Sequence, residues 1–498
     1  MAQAAVDMSA PVGVLDPDAP EAPSDVARAF TKMRKKQPVF DTDFRYYDGD
    51  QPVVYATDML SAYFKTLNAR FIENWCAPVI DAVLERLTLK GFSCEKNNQA
   101  EETLGELMET GGLELEAYDA HLAAVTTGES AIIVWPHEDD QSDIEVYYND
   151  PRQVEVFYQA RHPKVVDFAA KTFRDERTGV TYMTLYYADR LEHYRTRDDK
   201  LPQEPKDFMP LPEDEGPAVE QHDAGRVPVF HFRRNRRVIT GELRGRVLPQ
   251  QDMVNKTLAD MMVSSEFAGF KQRWAIANSK LDDLEAGASN FWRLPPSSEG
   301  EQPTQVGQFE STDLQNFLGA RTALAEGIAI ISHTPKHYMT GAAQPSGEAL
   351  NAMDAPLVKK VEHYQELFSA TWRDLAVFYC QLKGVALDGK DCTIVWERPN
   401  IEQPETTSNV VKNMVASQMP LPTALREYDG WEPKQLEAMD TDRKEAAANN
   451  PPTLGEIALK AAAQNLNSAD NPTPVPQEPG PGANGDGAGS QPTSPFLR

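Results

Sequence analysis

The chain has 498 residues, so at roughly 150 residues per domain about three domains are expected. Its 49 Lys and Arg face 76 Asp and Glu, a formal net charge of −27. That balance argues against a protein that grips nucleic acid over its whole surface, because such binding rests on cations that displace phosphate counterions. The four cysteines lack CxxC spacing, no apolar run approaches the ~18–20 residues of a membrane span, and the N-terminus lacks a signal peptide's basic-then-apolar order. A soluble, acidic, intracellular multidomain protein is expected.

Residues 1–27 read as a disordered arm and 450–498, rich in Pro, Gly, Asn and Ser, as a disordered tail. The tail holds a literal GxGxxG, Gly480 to Gly485, but without the strand and helix that would make it a dinucleotide site. Asp58 to Leu67 and Asn74 to Leu89 are spaced as helices, the latter with Val79, Val83 and Leu87 on one side and Gly91 as its cap. Leu113 to Val125 is a further helix. After Gly128 the period shortens. Ala131 to Trp135, Ile144 to Tyr148, Val154 to Tyr158, Val165 to Phe173, Val180 to Tyr187 and Val227 to Phe232 read as strands of an antiparallel meander. The result is an α+β domain over residues 28–239, with Leu201 to Gln221 as a loop.

From Thr240 a helical stripe (Leu243, Val247, Gln251, Val254, Leu258, Met261) runs to about Arg273, a span of ~50 Å at 1.5 Å per residue, with a kink at Pro249. Residues 274–310 are polar and broken by Pro and Gly, with an apolar island at Phe291 and Trp292. The capping-box sequence Thr312-Asp-Leu-Gln315 opens a second helix over 311–332 that carries Leu314, Phe317, Leu318, Leu324, Ile328 and Ile331. Residues 333–345 read as an exposed loop. A long helix, Ser346 to Leu382, follows with a kink at Pro356, then a lone strand, Cys392 to Trp396, that should rejoin the earlier sheet, and then several short helices over 405–443. The two helices flanking 274–310 lack partners enough to bury their apolar sides, which oligomerisation would supply.

The chain has no GxxxxGK[ST], HExxH, GxSxG or paired Cys-His spacing. Neither a catalytic residue, a metal nor a cofactor is expected. Acidic pairs such as Asp139-Asp140 and Asp282-Asp283 read as solvated surface. His333 and His337 are four apart, but Pro335 between them disfavours a shared helical face. Arg226, Arg233, Arg234, Arg236, Arg237, Arg244 and Arg246 crowd one short stretch. They read either as partners of acidic groups, in the same chain or a neighbouring subunit, or as a phosphate-facing ring. Pairing is the simpler use of Arg.

The order of these elements, with Tyr46-Tyr-Asp-Gly49, Asn74 to Leu87, Gln251 to Met262, Ile330 to Pro335 and Ser346 to Leu350, resembles the portal proteins of tailed double-stranded DNA bacteriophages. The branch it looks most like is that of long-tailed phages of Gram-positive and actinobacterial hosts. The resemblance implies a ring, usually of twelve subunits, at one capsid vertex of the virion, assembled in the host cytoplasm, through which DNA is packaged and ejected. It implies a wing (28–239), two stem helices (240–273 and 311–332), a clip (274–310), a tunnel loop (333–345), a long wing helix with a returning strand (346–404) and a crown (405–449). The implied partners are further copies of the chain, double-stranded DNA, the terminase large subunit, a head–tail adaptor, the major capsid protein and a scaffold, with no membrane. His333, Lys336, His337 and Thr340 would face DNA, and Phe291 and Trp292 would face the adaptor and terminase. Arg233, Arg234, Arg236, Arg237, Leu314 and Phe317 would lie between subunits. The competing readings are a metal-dependent DNA-processing enzyme and another head–tail connector ring.

Overall fold

The computed structural model describes residues 24–52, 72–94, 96–137, 143–269, 273–276, 305–309, 313–341, 347–400, 404–431 and 433–449. The helix expected over 58–67, the pair Phe291 and Trp292, residues 1–23 and the tail 450–498 lie outside them, whereas residues 24–27, expected in the disordered arm, cap and open a helix. Two units are present, Met1–Ile401 and Glu402–Arg498. In the first, α1 (Asp25–Tyr47), α2 (Cys76–Leu84), β1 (Leu89–Ser93), α3 (Asn98–Glu109) and α4 (Leu113–Thr127) precede the main strands. These are β2 (Glu129–Pro136), β3 (Ile144–Asn149), β4 (Val154–Tyr158), β5 (Val166–Arg174), β6 (Thr181–Tyr186), β7 (Arg190–Thr196), β8 (Phe208–Pro210), β9 (Val219–Gln221) and β10 (Val229–Arg233). Then come α5 (Leu248–Gly269), β11 (Arg273–Ile276), β12 (Gln305–Gln308), α6 (Gln315–Ser332), α7 (His337–Thr340), α8 (Gly347–Leu382) and β13 (Thr393–Trp396). This is the α+β class expected.

The core forms around α8. Leu357, Val361, Tyr364, Phe368, Trp372 and Leu375 recur every three or four residues and are all buried, against Phe230 and Phe232 of β10 among others. The Trp372 indole N–H donates to His121 Nε2 at 3.0 Å. Burial pushes the His121 pKa down to about 3, which keeps the ring neutral and able to accept that bond.

The meander divides into two antiparallel sheets, β10-β2-β3 and β4-β5-β6-β7-β8, with β9 beside β7. The last strand returns to the first, pairing Phe230 with Ile132 and Phe232 with Ser130. The stretch expected as a loop over 201–221 supplies the short strands β8 and β9, both paired to β7. Helix α1 lies on β4. Ser24 Oγ caps it, Ala29, Met33 and Phe40 are its buried face, and Pro38 is tolerated inside it. Lys36 reaches Glu155 at 2.7 Å and Glu129 at 2.9 Å, both nearly fully buried.

Four local expectations are corrected. Gly91 does not cap a helix: α2 ends at Leu84, and Gly91 lies in β1 at an irregularity in its pairing. The returning strand β13 pairs with β1 in a separate two-stranded sheet, not with the meander. Pro249 is the second residue of α5, where its missing N–H costs nothing, so it starts the helix rather than kinking it. Helix α6 opens at Gln315, later than a cap at Thr312 would set it, and the Gln315 amide donates to Asp313 Oδ1 at 2.9 Å. The second unit, described by itself, contains Pro404–Ala416, Leu421–Ala424 and Pro433–Asn449, short helices around Val411, Ala424 and Leu425, as expected.

Candidate functional site: the helical hairpin and its base

Helices α5 and α6 pack on one another, and β11 and β12 pair antiparallel between them. The base of this hairpin is locked to the first unit by a buried amide network. The Trp75 N–H donates to Gln251 Oε1 at 2.9 Å, and Gln251 Nε2 donates to the Glu73 carbonyl at 2.6 Å and to Asn255 Oδ1 at 3.1 Å. Asn255 donates to Gln51, whose Nε2 donates to the Tyr46 carbonyl and to Asn74 Oδ1, both at 3.1 Å. Asn74 Nδ2 then reaches the Tyr47 carbonyl at 2.7 Å, and Tyr46 Oη donates to Asp252 at 2.5 Å. Three sequence stretches that carried the resemblance, 46–49, 74–87 and 251–262, thus converge on one network. Gln251, the polar residue on an otherwise apolar stripe, was its trace in the sequence.

Away from the base, burial fades. Within α5 Gln251, Val254, Asn255 and Ala259 are buried, and none of residues 260–265 is. Within α6 burial begins only at Ala325: Leu314 and Phe317 are half-buried and Leu318 is 39% exposed. Phe309 is 60% exposed.

At the other end of α6, His333 adopts φ 57° and its amide closes the helix on Ile330 and Ala329. The segment expected as an exposed loop contains the one-turn helix α7, and three of its side chains are anchored. Met339 is buried. Arg86 Nη2 donates to Tyr338 Oη at 2.5 Å, and His337 Nε2 lies 3.7 Å from Asp354. Thr340 Oγ1 donates to the Lys336 carbonyl at 3.0 Å. His333 and Lys336 remain exposed, the latter 3.4 Å from Glu326, whereas His337 and Thr340 are half-buried.

The Arg-rich stretch also divides. Arg234 Nε donates to Glu242 at 2.9 Å and to Tyr364 Oη at 2.6 Å, and Arg244 pairs with Asp43 at 2.9 Å. Both are partnered within their own chain. Arg233 stacks over Tyr158 at 4.4 Å, and Arg226 over Phe230 at 4.7 Å. Arg236, Arg237 and Arg246 are exposed and make no ion pair among the described residues. Two glycines let this region close. A Cβ on Gly128 or Gly241 would overlap the backbone of Thr240 or Thr126, so only there can the two chain segments cross. Burial alone would raise the Glu242 pKa, but the charges of Lys360 and Arg234 and the bonds from Tyr364 and Arg234 hold it at about 2. Lys360 and its neighbour Lys359, on the far side of this site, were not singled out by the sequence.

The chain is similar to several known proteins. A family model described as "Phage portal protein, SPP1 Gp6-like" matches residues 30–449. The portal protein of Mycobacterium phage L5 is 24% identical over 402 residues, 76% of this chain and 80% of that protein. That of Mycobacterium phage D29 is 26% identical over 342 residues, 64% of this chain and 68% of that one. Among solved structures, a chain from "Neck of native GTA particle computed with C12 symmetry" has a TM-score of 0.41 at 12% identity, covering 78% of this chain and 94% of its own. A chain from the neck of an empty GTA particle, computed with C6 symmetry, has a TM-score of 0.38 at 11% identity, covering 74% and 92%. Because the family model spans most of the chain, from the first described helix to the last, the chain belongs to the phage portal protein family.

Proposed function

We propose that copies of this chain close into a ring whose central channel passes double-stranded DNA into and out of a phage head, as a structural and not a catalytic component. The observation that carries this reading is the outer half of the α5–α6 hairpin, whose apolar side chains stay uncovered in one copy and would be covered by neighbours around an axis. In this reading residues 28–239 form the wing, 240–273 and 311–332 the stem, 274–310 the clip, 333–345 the tunnel segment, 346–404 the wing helix and its strand, and 405–449 the crown. The terminase large subunit and head–tail adaptor dock on the clip, with Phe291 and Trp292 as anchors. The major capsid protein and a scaffold meet the wing, which places the ring at one vertex of the virion.

The charge suits a conduit. A ring of about twelve copies would carry 12 × −27 = −324 formal charges, which repel phosphate and keep DNA sliding rather than stuck. His333 and Lys336 supply sparse attractive contacts, each of which would add binding and salt dependence. Electron micrographs of the purified full-length protein test the reading. Rings with a central hole are expected, and uniformly small single particles that cleave DNA with Mg²⁺ would overturn it.

A further inference from the structure

Arg236 and Arg246 of the Arg-rich stretch and the end of α6, distant in sequence, meet in one open groove of about 600 Å³. Its back wall is settled internally: Glu242 is shared by Arg234 and Lys360, and Lys360 Nζ donates to the Ser332 carbonyl at 2.6 Å. Its rim is not. Arg236, Arg246 and Lys359 are exposed and make no ion pair among the described residues, and His333 and His363 stand beside them. Five Lys and Arg line the groove against the one carboxylate of Glu242, an excess of 5 − 1 = 4 positive charges. The crowding is felt inside. Burial, then the charges of Arg234 and Arg246, push the Lys360 pKa down against the pull of Glu242. In a chain of net charge −27, so concentrated a positive site suits an anion from outside.

The same unit carries the complement. On the exposed side of α4, Leu115 is 73% and Tyr118 49% exposed, between Glu114 and Asp119. Glu85, just beyond α2, joins them. The Tyr118 pKa is raised by its partial burial and then by Asp81, Asp119 and Glu85, which places those carboxylates around the phenol. Glu85, Glu114 and Asp119 are exposed and unpaired with any cation among the described residues.

The two features face different ways. Asp354 of α8 lies 3.4 Å from Arg86, beside Glu85, and Gln365 donates to the Arg86 carbonyl at 3.4 Å. At about 100° per residue, Lys359 and His363 project from nearly the opposite side of that helix. A basic groove and an acidic ridge on opposed faces cannot pair with each other within one copy, nor across a two-fold axis with a single patch. They suit a heterologous, head-to-tail contact, the kind that closes rings.

We propose that the groove rimmed by Arg236, Arg246 and Lys359 receives the acidic, tyrosine-centred ridge of Glu85, Tyr118 and Asp119 from the next copy of the chain. This rests on the ring reading above and assigns its subunit contact to named faces. Charge reversal tests it in the full-length protein. Arg236→Glu with Lys359→Glu turns the rim of Arg236, Arg246 and Lys359 from three positive charges to a net −1 (3 − 4 = −1); Glu85→Lys with Asp119→Lys turns the carboxylates of Glu85, Glu114 and Asp119 to a net +1 (−3 + 4 = +1). All four positions are exposed, so each double variant keeps the parent's circular-dichroism melting curve. Each alone forms roughly tenfold fewer rings than the parent at physiological salt, because like charges then face one another. Mixing the two double variants restores rings, since each groove then finds an oppositely charged ridge on the other variant. Double variants that assemble as well as the parent, or a mixture that stays unassembled, overturn the proposal. So does a groove variant that forms normal rings but retains duplex DNA less well, which would assign the groove to phosphate. If the parent itself never forms rings, the ring reading fails first, and this contact with it.

Discussion

In α8, the side chains of Leu357, Val361, Phe368, Trp372 and Leu375 are covered by their own chain. In the α5–α6 hairpin, Met253, Met262, Leu318 and Ile330 are each more than a third exposed. Both regions are apolar stripes at helical spacing. The difference is which molecule covers the stripe. The long helix is wrapped by β10, α2 and α4 of the same copy, whereas the hairpin leaves the core at Gln251 and Asn255 and runs out of intramolecular partners within about two turns. Folding of one copy depends on the first region, and assembly of the proposed ring would depend on the second.

Substitutions should separate the two. Trp372→Ala removes a fully buried ring and strands the His121 acceptor, and a loss of roughly 3–5 kcal/mol is expected in denaturant unfolding of the full chain. A loss below ~1 kcal/mol would show that the core around α8 is not what holds one copy together.

The buried carboxylates of the first unit should set an acid limit to stability. The charge of Lys36 and the partnership of His231 outweigh burial to hold Glu129 at about 2, as Lys360 and Arg234 do for Glu242. Both folded values lie below the ordinary 4.5. The stabilisation is therefore complete above about pH 4.5 and is lost as pH falls from there towards 2, by an amount on the order of 3 kcal/mol per group. Melting curves between pH 6 and 3 should fall accordingly, and Glu242→Gln should fall less steeply over that window. Equal slopes would mean the carboxylate is protonated at its ordinary pH.

Gln251→Leu tests the joint between the two regions. It strips the Trp75 N–H, the Glu73 carbonyl and Asn255 of their partner, and about 2 kcal/mol of stability should go with it. A neutral result would mean water replaces the amide. The smallest effect on folding is expected at the hairpin's outer half. Leu318→Glu should change the unfolding free energy by less than about 0.5 kcal/mol while abolishing rings, and a large destabilisation there would erase the distinction drawn between the two regions.

Much of this was legible in the sequence, for reasons the structure makes plain. The strands from Ala131 to Tyr158, the hairpin and the long helix follow local periodicity, which is what a stripe of side chains records. What escaped depends on distant chain. The pairing of β1 with β13 joins segments some 300 residues apart (Ser93 with Thr393), and no local pattern reports it. Helix α1 hides behind Pro38, because its stability comes from Ala29 and Met33 packing with Phe157, Phe168 and Met183 of the strands, not from propensity. The segment after His333 is polar enough to read as a free loop, yet Tyr338 and Met339 anchor it. The crowding of Arg was visible, but which of them pair was not, since Arg244 finds Asp43 and the groove is completed by Lys359 and Lys360 from α8.

In the proposed ring the hairpin's apolar side is covered only by identical copies. Sedimentation equilibrium of the full-length protein at physiological salt, across a hundredfold range of concentration, addresses it directly. A discrete closed assembly at many times the 55.4 kDa of one chain is expected. A stable 55.4 kDa species at every concentration would contradict it.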